Sequence, residues 1–153
     1  MQAGRRSALA RLGGWFMAAA IGLWRPSLAA AAPWNAKAFE AQAIADALQE
    51  LGLTAAKESA DIVLKAPEIA ENGAQVPIEI STIIPNVEDI YIFVDKNPQP
   101  FAGSFRFMNG AQPFVVSRIK MAETSPVRVI VRAGNAQFIT SREVKVTIGG
   151  CGE

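Results

Sequence analysis

From Val76 onward, apolar side chains recur at every second position for long stretches of the chain. Val76, Ile78 and Ile80 alternate with Pro77, Glu79 and Ser81, and Ser117, Ile119 and Met121 alternate with Arg118 and Lys120. The same period runs through Val127, Val129 and Val131, and again through Val144, Val146 and Ile148; Phe105 and Phe107 flank Arg106 in like manner. A period of two sends one set of side chains to a core and the other to water, as a β-strand does. Ile90 to Val94 is apolar throughout, which suits a strand buried on both faces, and a short strand over Asp61–Lys65 is expected upstream. Turn-forming residues separate these runs: Asn72-Gly73, Asn97-Pro98-Gln99-Pro100, Asn109-Gly110, Ser125-Pro126 and Gly134-Asn135. About seven short strands so spaced, with no helix between them, predict an all-β, immunoglobulin-like antiparallel β-sandwich. Pro77 cannot donate to a ladder, so its strand is expected at an edge or beside a bulge.

Before the strands the period changes. Phe39, Ala43, Leu48 and Leu51 recur near helical spacing among Lys37, Glu40, Asp46 and Glu50, which predicts a helix from Asn35 to Leu53. Asn35 suits the N-cap, and Gly52 can take the left-handed conformation that ends a helix.

Residues 1–32 follow a different logic. Arg5-Arg6 precedes a weakly apolar stretch from Leu12 to Leu23, then Arg25-Pro26 and the small residues Ala29 to Ala32. That order describes an export signal, and paired arginines before a mildly hydrophobic stretch favour the twin-arginine route. A general secretory signal that happens to hold two arginines is the alternative. Cleavage is expected after Ala30 or Ala31. The apolar run is about a dozen residues, short of the roughly twenty that span a bilayer. The chain therefore divides into a signal at 1–32, a sandwich with its N-terminal helix at 33–148, and a glycine-rich tail at 149–153.

Charge sharpens this division. The chain of 153 residues carries 15 basic and 14 acidic side chains. Four of the arginines and none of the acids lie in 1–32, so the remainder holds eleven basic against fourteen acidic residues. A mildly acidic domain lacks the clustered Lys and Arg that phosphate binding needs, which argues against a nucleic-acid partner. There is no histidine, which removes the usual general base and the commonest zinc and copper ligand. A single cysteine permits no internal disulfide and no paired-cysteine metal or haem site. A self-sufficient enzyme is hard to build from this inventory, and neither a metal nor a cofactor is expected.

The remaining chemistry is at the end. After Ile148 come Gly149, Gly150, Cys151, Gly152 and Glu153. Glycine costs more to order than any other residue, so such a tail is expected to stay mobile. Three extended residues carry the thiol roughly 10 Å beyond Ile148. An odd cysteine with no apolar neighbours, in an exported chain, points to intermolecular pairing or a reactive thiol. Two readings remain open on these residues alone. Cys151 could carry a substrate, or it could merely tether a partner held by an exported immunoglobulin-like binding module. A thiol redox enzyme would keep a resolving cysteine, and there is none.

Four segments bear on the choice. They are Ala66-Pro67-Glu68-Ile69-Ala70-Glu71-Asn72-Gly73 with Val76-Pro77, Lys96-Asn97-Pro98 with Pro100, Ser117-Arg118-Ile119-Lys120-Met121, and Val146 to Gly152. Together they resemble the SoxY family, the sulfur-carrier subunits of the bacterial thiosulfate-oxidising multienzyme system. The resemblance implies a periplasmic, non-enzymatic carrier that pairs with a SoxZ-like β-sandwich subunit as a heterodimer. It implies three further partners: a c-type cytochrome, a sulfate-releasing metal-dependent hydrolase and a sulfur dehydrogenase. By the same resemblance Cys151 is the sulfur attachment site, and Gly149, Gly150 and Gly152 form the arm around it. The family commonly ends in Gly-Gly after the cysteine, whereas this chain has Gly152-Glu153. A carboxylate beside the thiol disfavours the thiolate and opposes an approaching dianion.

Overall fold

The computed structural model describes residues 35–147. Two short helices open the described chain, α1 at Ala36–Glu40 and α2 at Ile44–Glu50. They replace the single helix expected over 35–53. The break falls at Ala41–Ala43, where Ala41 and Ala43 take extended ψ values of 131° and 140°. The reversal lets both halves press on the same sheet: Phe39 stacks on Phe101 at 4.3 Å between ring centroids, while Ala47 and Leu53 join the same apolar cluster. Asn35 caps α1 by accepting from the Ala38 amide at 3.2 Å, and its Nδ2 donates to the Glu50 carbonyl at 3.2 Å, closing the helical hairpin. Gly52 adopts φ +66° as expected at a helix end.

Nine strands follow: β1 Lys57–Glu58, β2 Ile62–Lys65, β3 Ile69–Ala70, β4 Val76–Thr82, β5 Asp89–Val94, β6 Phe101–Arg106, β7 Phe114–Ile119, β8 Ser125–Ala133 and β9 Ala136–Val146. Seven of these have four or more residues; β1 and β3 are dipeptides that pair parallel to β9. One sheet runs β1-β9-β8-β5-β6 with β3 also on β9, and the other runs β2-β4-β7. The long strands pair antiparallel throughout. The all-β sandwich expected from the alternation is what forms.

The core between the sheets holds Val76, Ile78 and Ile80 against Ile90, Ile92 and Val94, with Val127, Val129, Val131 and Val144. β5 is buried at every position because its other face lies under the helices, where Tyr91 and Phe93 meet Phe101, Ala47 and Leu53. That second layer explains its unbroken apolar run. Large buried side chains of this kind each contribute roughly 1.5–3 kcal/mol.

Some boundaries differ from expectation. β6 is anchored by buried Phe101 and ends at Arg106, so Phe107 lies just beyond it, its amide donating to the Glu88 carbonyl at 2.8 Å. Ser125-Pro126 opens β8 instead of making a turn, Ser125 facing Val144 across the ladder. Pro77 sits in the middle strand of its sheet, but β2 pairs only as far as Glu79, so at Pro77 the strand has β7 alone and is locally an edge. Gly134, at φ +58°, and Asn135 make the two-residue turn between β8 and β9. Among the described residues no helix is long and apolar enough to cross a membrane.

Candidate functional site

The residues singled out as carrying chemistry, Cys151 with Gly149, Gly150 and Gly152, lie outside the described residues, as do Arg5 and Arg6 of the export signal. Ile148, expected as the last strand residue, lies outside them too. The structure instead describes the ground from which the tail departs.

The end of β9 is held from both sides. On one side it pairs with β3, Ile69 facing Lys145 and Ala70 facing Val146. The Lys145 amide donates to the Glu68 carbonyl at 2.9 Å and the Thr147 amide to the Ala70 carbonyl at 3.1 Å. On the other side the Val146 amide donates to Oγ1 of Thr124 at 3.0 Å. Val144 beneath is fully buried. The pairing thus continues to Thr147, the last described residue.

Three loops surround this point. The ladders fix their position: β4 begins opposite the end of β7, with Val76 facing Ile119, while β5 ends where β8 begins. Asn97, in the loop between β5 and β6, donates through Nδ2 to the Lys120 carbonyl at 2.8 Å and accepts at Oδ1 from the Ala122 amide at 2.9 Å. Its neighbour Lys96 donates its amide to Ser125 Oγ at 3.0 Å. Asn72 caps the 3₁₀ turn Gly73–Gln75 by accepting from the Ala74 amide at 2.8 Å, and the Gly73 carbonyl accepts from the Met121 amide at 2.7 Å. An asparagine side chain that both donates and accepts across a loop substitutes for backbone pairing, which explains how irregular chain is fixed here.

The sequence segments 66–77, 96–100 and 117–121, distant along the chain, therefore meet at the end of the sandwich from which β9 leaves. Their convergence was not foreseen. The Asn-Pro and Asn-Gly pairs marked them only as turns, and nothing in a single sequence says which turns share an end. Lys96, Lys120 and Lys145, all exposed, are without an ion pair among the described residues.

The strongest electrostatic feature lies at the opposite end. Buried Asp89, at the start of β5, is held by Arg106 Nε at 2.9 Å and by Arg132. The Arg132 guanidinium carbon lies 5.4 Å from the centroid of the Tyr91 ring. Burial, and then the Asp89 carboxylate, hold the Tyr91 phenol above its ordinary range; its hydrogen bond to Asp89 raises Arg106. Two cations around one buried carboxylate satisfy a charge that would otherwise be costly. This cluster tethers β5 to β6 and β8, and it stands across the fold from the end of β9.

Comparison with known proteins agrees with this architecture. The family model described as sulfur oxidation protein SoxY matches residues 48–151. Among solved structures, the chain is similar to the sulfur carrier protein SoxY from Chlorobium limicola f thiosulfatophilum. That match has 42% identity and a TM-score of 0.61, and covers 68% of this chain and 96% of that one. No match is found among curated proteins. The matched residues run from α2 through the tail cysteine, and on that span the chain belongs to the SoxY family of sulfur oxidation proteins.

Proposed function

We propose that this chain carries sulfur intermediates covalently on Cys151 during thiosulfate oxidation and presents them to partner enzymes. The observation that supports this most is the contrast at the end of β9. Chain held on one side as far as Val146 and on the other as far as Thr147 is followed in sequence by Ile148 and then by glycines around the only cysteine. Cys151 is four residues from Thr147, a reach of at most about 14 Å. A thiol so placed enters a narrow pocket on another protein while the domain stays outside.

The chemistry balances simply. As a sulfur–sulfur bond forms between Cys151 and the outer sulfur of thiosulfate, the thiol proton is released and two electrons pass to a c-type cytochrome. Water then cleaves the bond to the sulfonate sulfur in the hydrolase, releasing sulfate and leaving a persulfide on Cys151. A sulfur dehydrogenase oxidises that persulfide further. The chain itself supplies the sulfur anchor and the reach, and the partners supply the catalytic groups. We assign the work to the periplasm on the strength of the 1–32 signal, and a SoxZ-like subunit as the permanent partner.

The test is a reconstituted system that follows thiosulfate-dependent cytochrome reduction. Cys151→Ala should abolish it while leaving fold and subunit pairing intact. Full turnover by that variant would leave Cys151 as a tether only.

A further inference from the structure

The hold on β9 changes at Val144. Up to that residue the strand lies in the antiparallel ladder with β8, whose last pair is Ser125 with Val144, and Val144 is fully buried. Beyond it Lys145 and Val146 pair with the dipeptide β3, in parallel, the less stable geometry per residue. Little is buried there. Lys145 and Thr147 are exposed, Ile69 opposite Lys145 is 57% exposed, and Val146 is half-buried. Of the three amides in this stretch, two donate to the segment around β3 and one, that of Val146, to a threonine hydroxyl.

Stability within a fold is lowest where few buried apolar contacts back the backbone bonds. Three amide bonds of modest net worth, with no fully buried side chain behind them, should slow exchange only roughly 100-fold. Residues 145–147 are thus poised to open while the buried ladder before them stays closed. Opening adds no depth along the strand, because β9 is already extended. It moves the pivot. With Thr147 held, Cys151 sweeps a radius of at most about 14 Å; with Val144 as pivot, the radius is about 25 Å.

We propose that Lys145, Val146 and Thr147 peel from β3 and Thr124 when a partner enzyme takes the thiol, and that Val144 is the stop. The inference rests on the carrier reading and adds a moving part that lies in the fold, upstream of the glycines. The consequence concerns direction. Successive enzymes need not approach along the axis of β9, since the wider sweep presents the thiol to the side while the domain keeps its orientation. On release the three residues pair again, and the short reach is restored.

Pulsed hydrogen exchange on the chain paired with its SoxZ-like subunit tests this, first at rest and then during thiosulfate turnover at saturating partner enzymes. Protection at Val146 and Thr147 should fall about tenfold during turnover, while that at Val144 and in the centre of β8 holds. Unchanged or higher protection at Val146 and Thr147 overturns the proposal, and so does a loss that extends through Val144. Lys145→Val sets a β-branched side chain against Ile69 and should tighten the seam and slow turnover, each about threefold. Lys145→Gln removes the charge without adding the apolar pair, and should match wild type. A tightened seam with wild-type turnover, or equal slowing by Lys145→Gln, overturns the proposal. Those outcomes leave the carrier reading standing, because Cys151→Ala decides it separately: full turnover by that variant removes the carrier reading, whatever the exchange pattern.

Discussion

The amide of Val146 donates to Oγ1 of Thr124 at 3.0 Å, and this bond ties the end of β9 to the loop that precedes β8. It sits two residues beyond Ser125–Val144, the last β8–β9 pair, so it extends the hold on β9 past the end of that ladder. Thr124→Val keeps the branched shape and removes the acceptor. A net loss of about 1 kcal/mol is expected locally. Hydrogen exchange at the Val146 amide should accelerate, while exchange in the buried centre of β5 stays slow. Unchanged exchange at Val146 would mean the bond contributes nothing to holding the end.

Asn97 has a larger task, because it clasps Lys120 and Ala122 together from another loop. Asn97→Ala removes both bonds at once and should cost about 1–3 kcal/mol. Asn97→Asp keeps the acceptor for Ala122 and forfeits the donor to Lys120, so its melting temperature should fall between those of wild type and the alanine variant. Equal melting temperatures for all three would contradict the clasp.

Alkaline pH gives an independent check on the Asp89 cluster. The Tyr91 phenol is held above its ordinary value of 10.0, chiefly by burial and secondarily by Asp89. The folded protein thus keeps the phenol protonated to higher pH than the unfolded chain does. The associated stability is complete below pH 10 and declines as pH rises through the folded value. Tyr91 is the only tyrosine, so tyrosinate absorbance reports it alone. Ionisation should come late and accompany unfolding, and Tyr91→Phe should flatten the loss of stability above pH 10. Ionisation at the ordinary value in a still-folded protein would contradict the burial argument.

How much of this could be read in the sequence depends on the distance over which each feature is decided. Alternation along β4 and β8 is local, and it marked those strands and their inward faces correctly, whereas along β9 it marked only the end, at Val144 and Val146, and missed the stretch from Ala136 to Glu143. The unbroken run at Ile90–Val94 pointed to burial on both sides before the roofing helices were in view. The break at Ala41–Ala43 was not legible, because it answers to the position of Phe101, some sixty residues away in sequence. The meeting of Asn72, Asn97 and Thr124 at one end was hidden for the same reason, since sheet order decides it. Cys151 was conspicuous by composition alone, and its surroundings were not.

The glycines beside Cys151 separate flexibility from mere exposure. Gly149→Ala with Gly150→Ala adds two methyl groups and restricts the tail. Enzymatic loading of Cys151 should slow severely. Reaction with a small alkylating reagent should hardly change, and neither should the melting temperature, because the bonds described at the end of β9 are made by residues up to Thr147. Equal slowing of both reactions would show that the thiol itself was perturbed, and the account of a reaching arm would fail.

The most direct measurement of the central claim is an intact-mass spectrum of the protein taken during thiosulfate turnover, followed by fragmentation of its C-terminal peptide. The account predicts added thiosulfate and added sulfur atoms on Cys151, removable by a thiol reductant and missing from Cys151→Ala. An unmodified C-terminal peptide in a system that is turning over would contradict it.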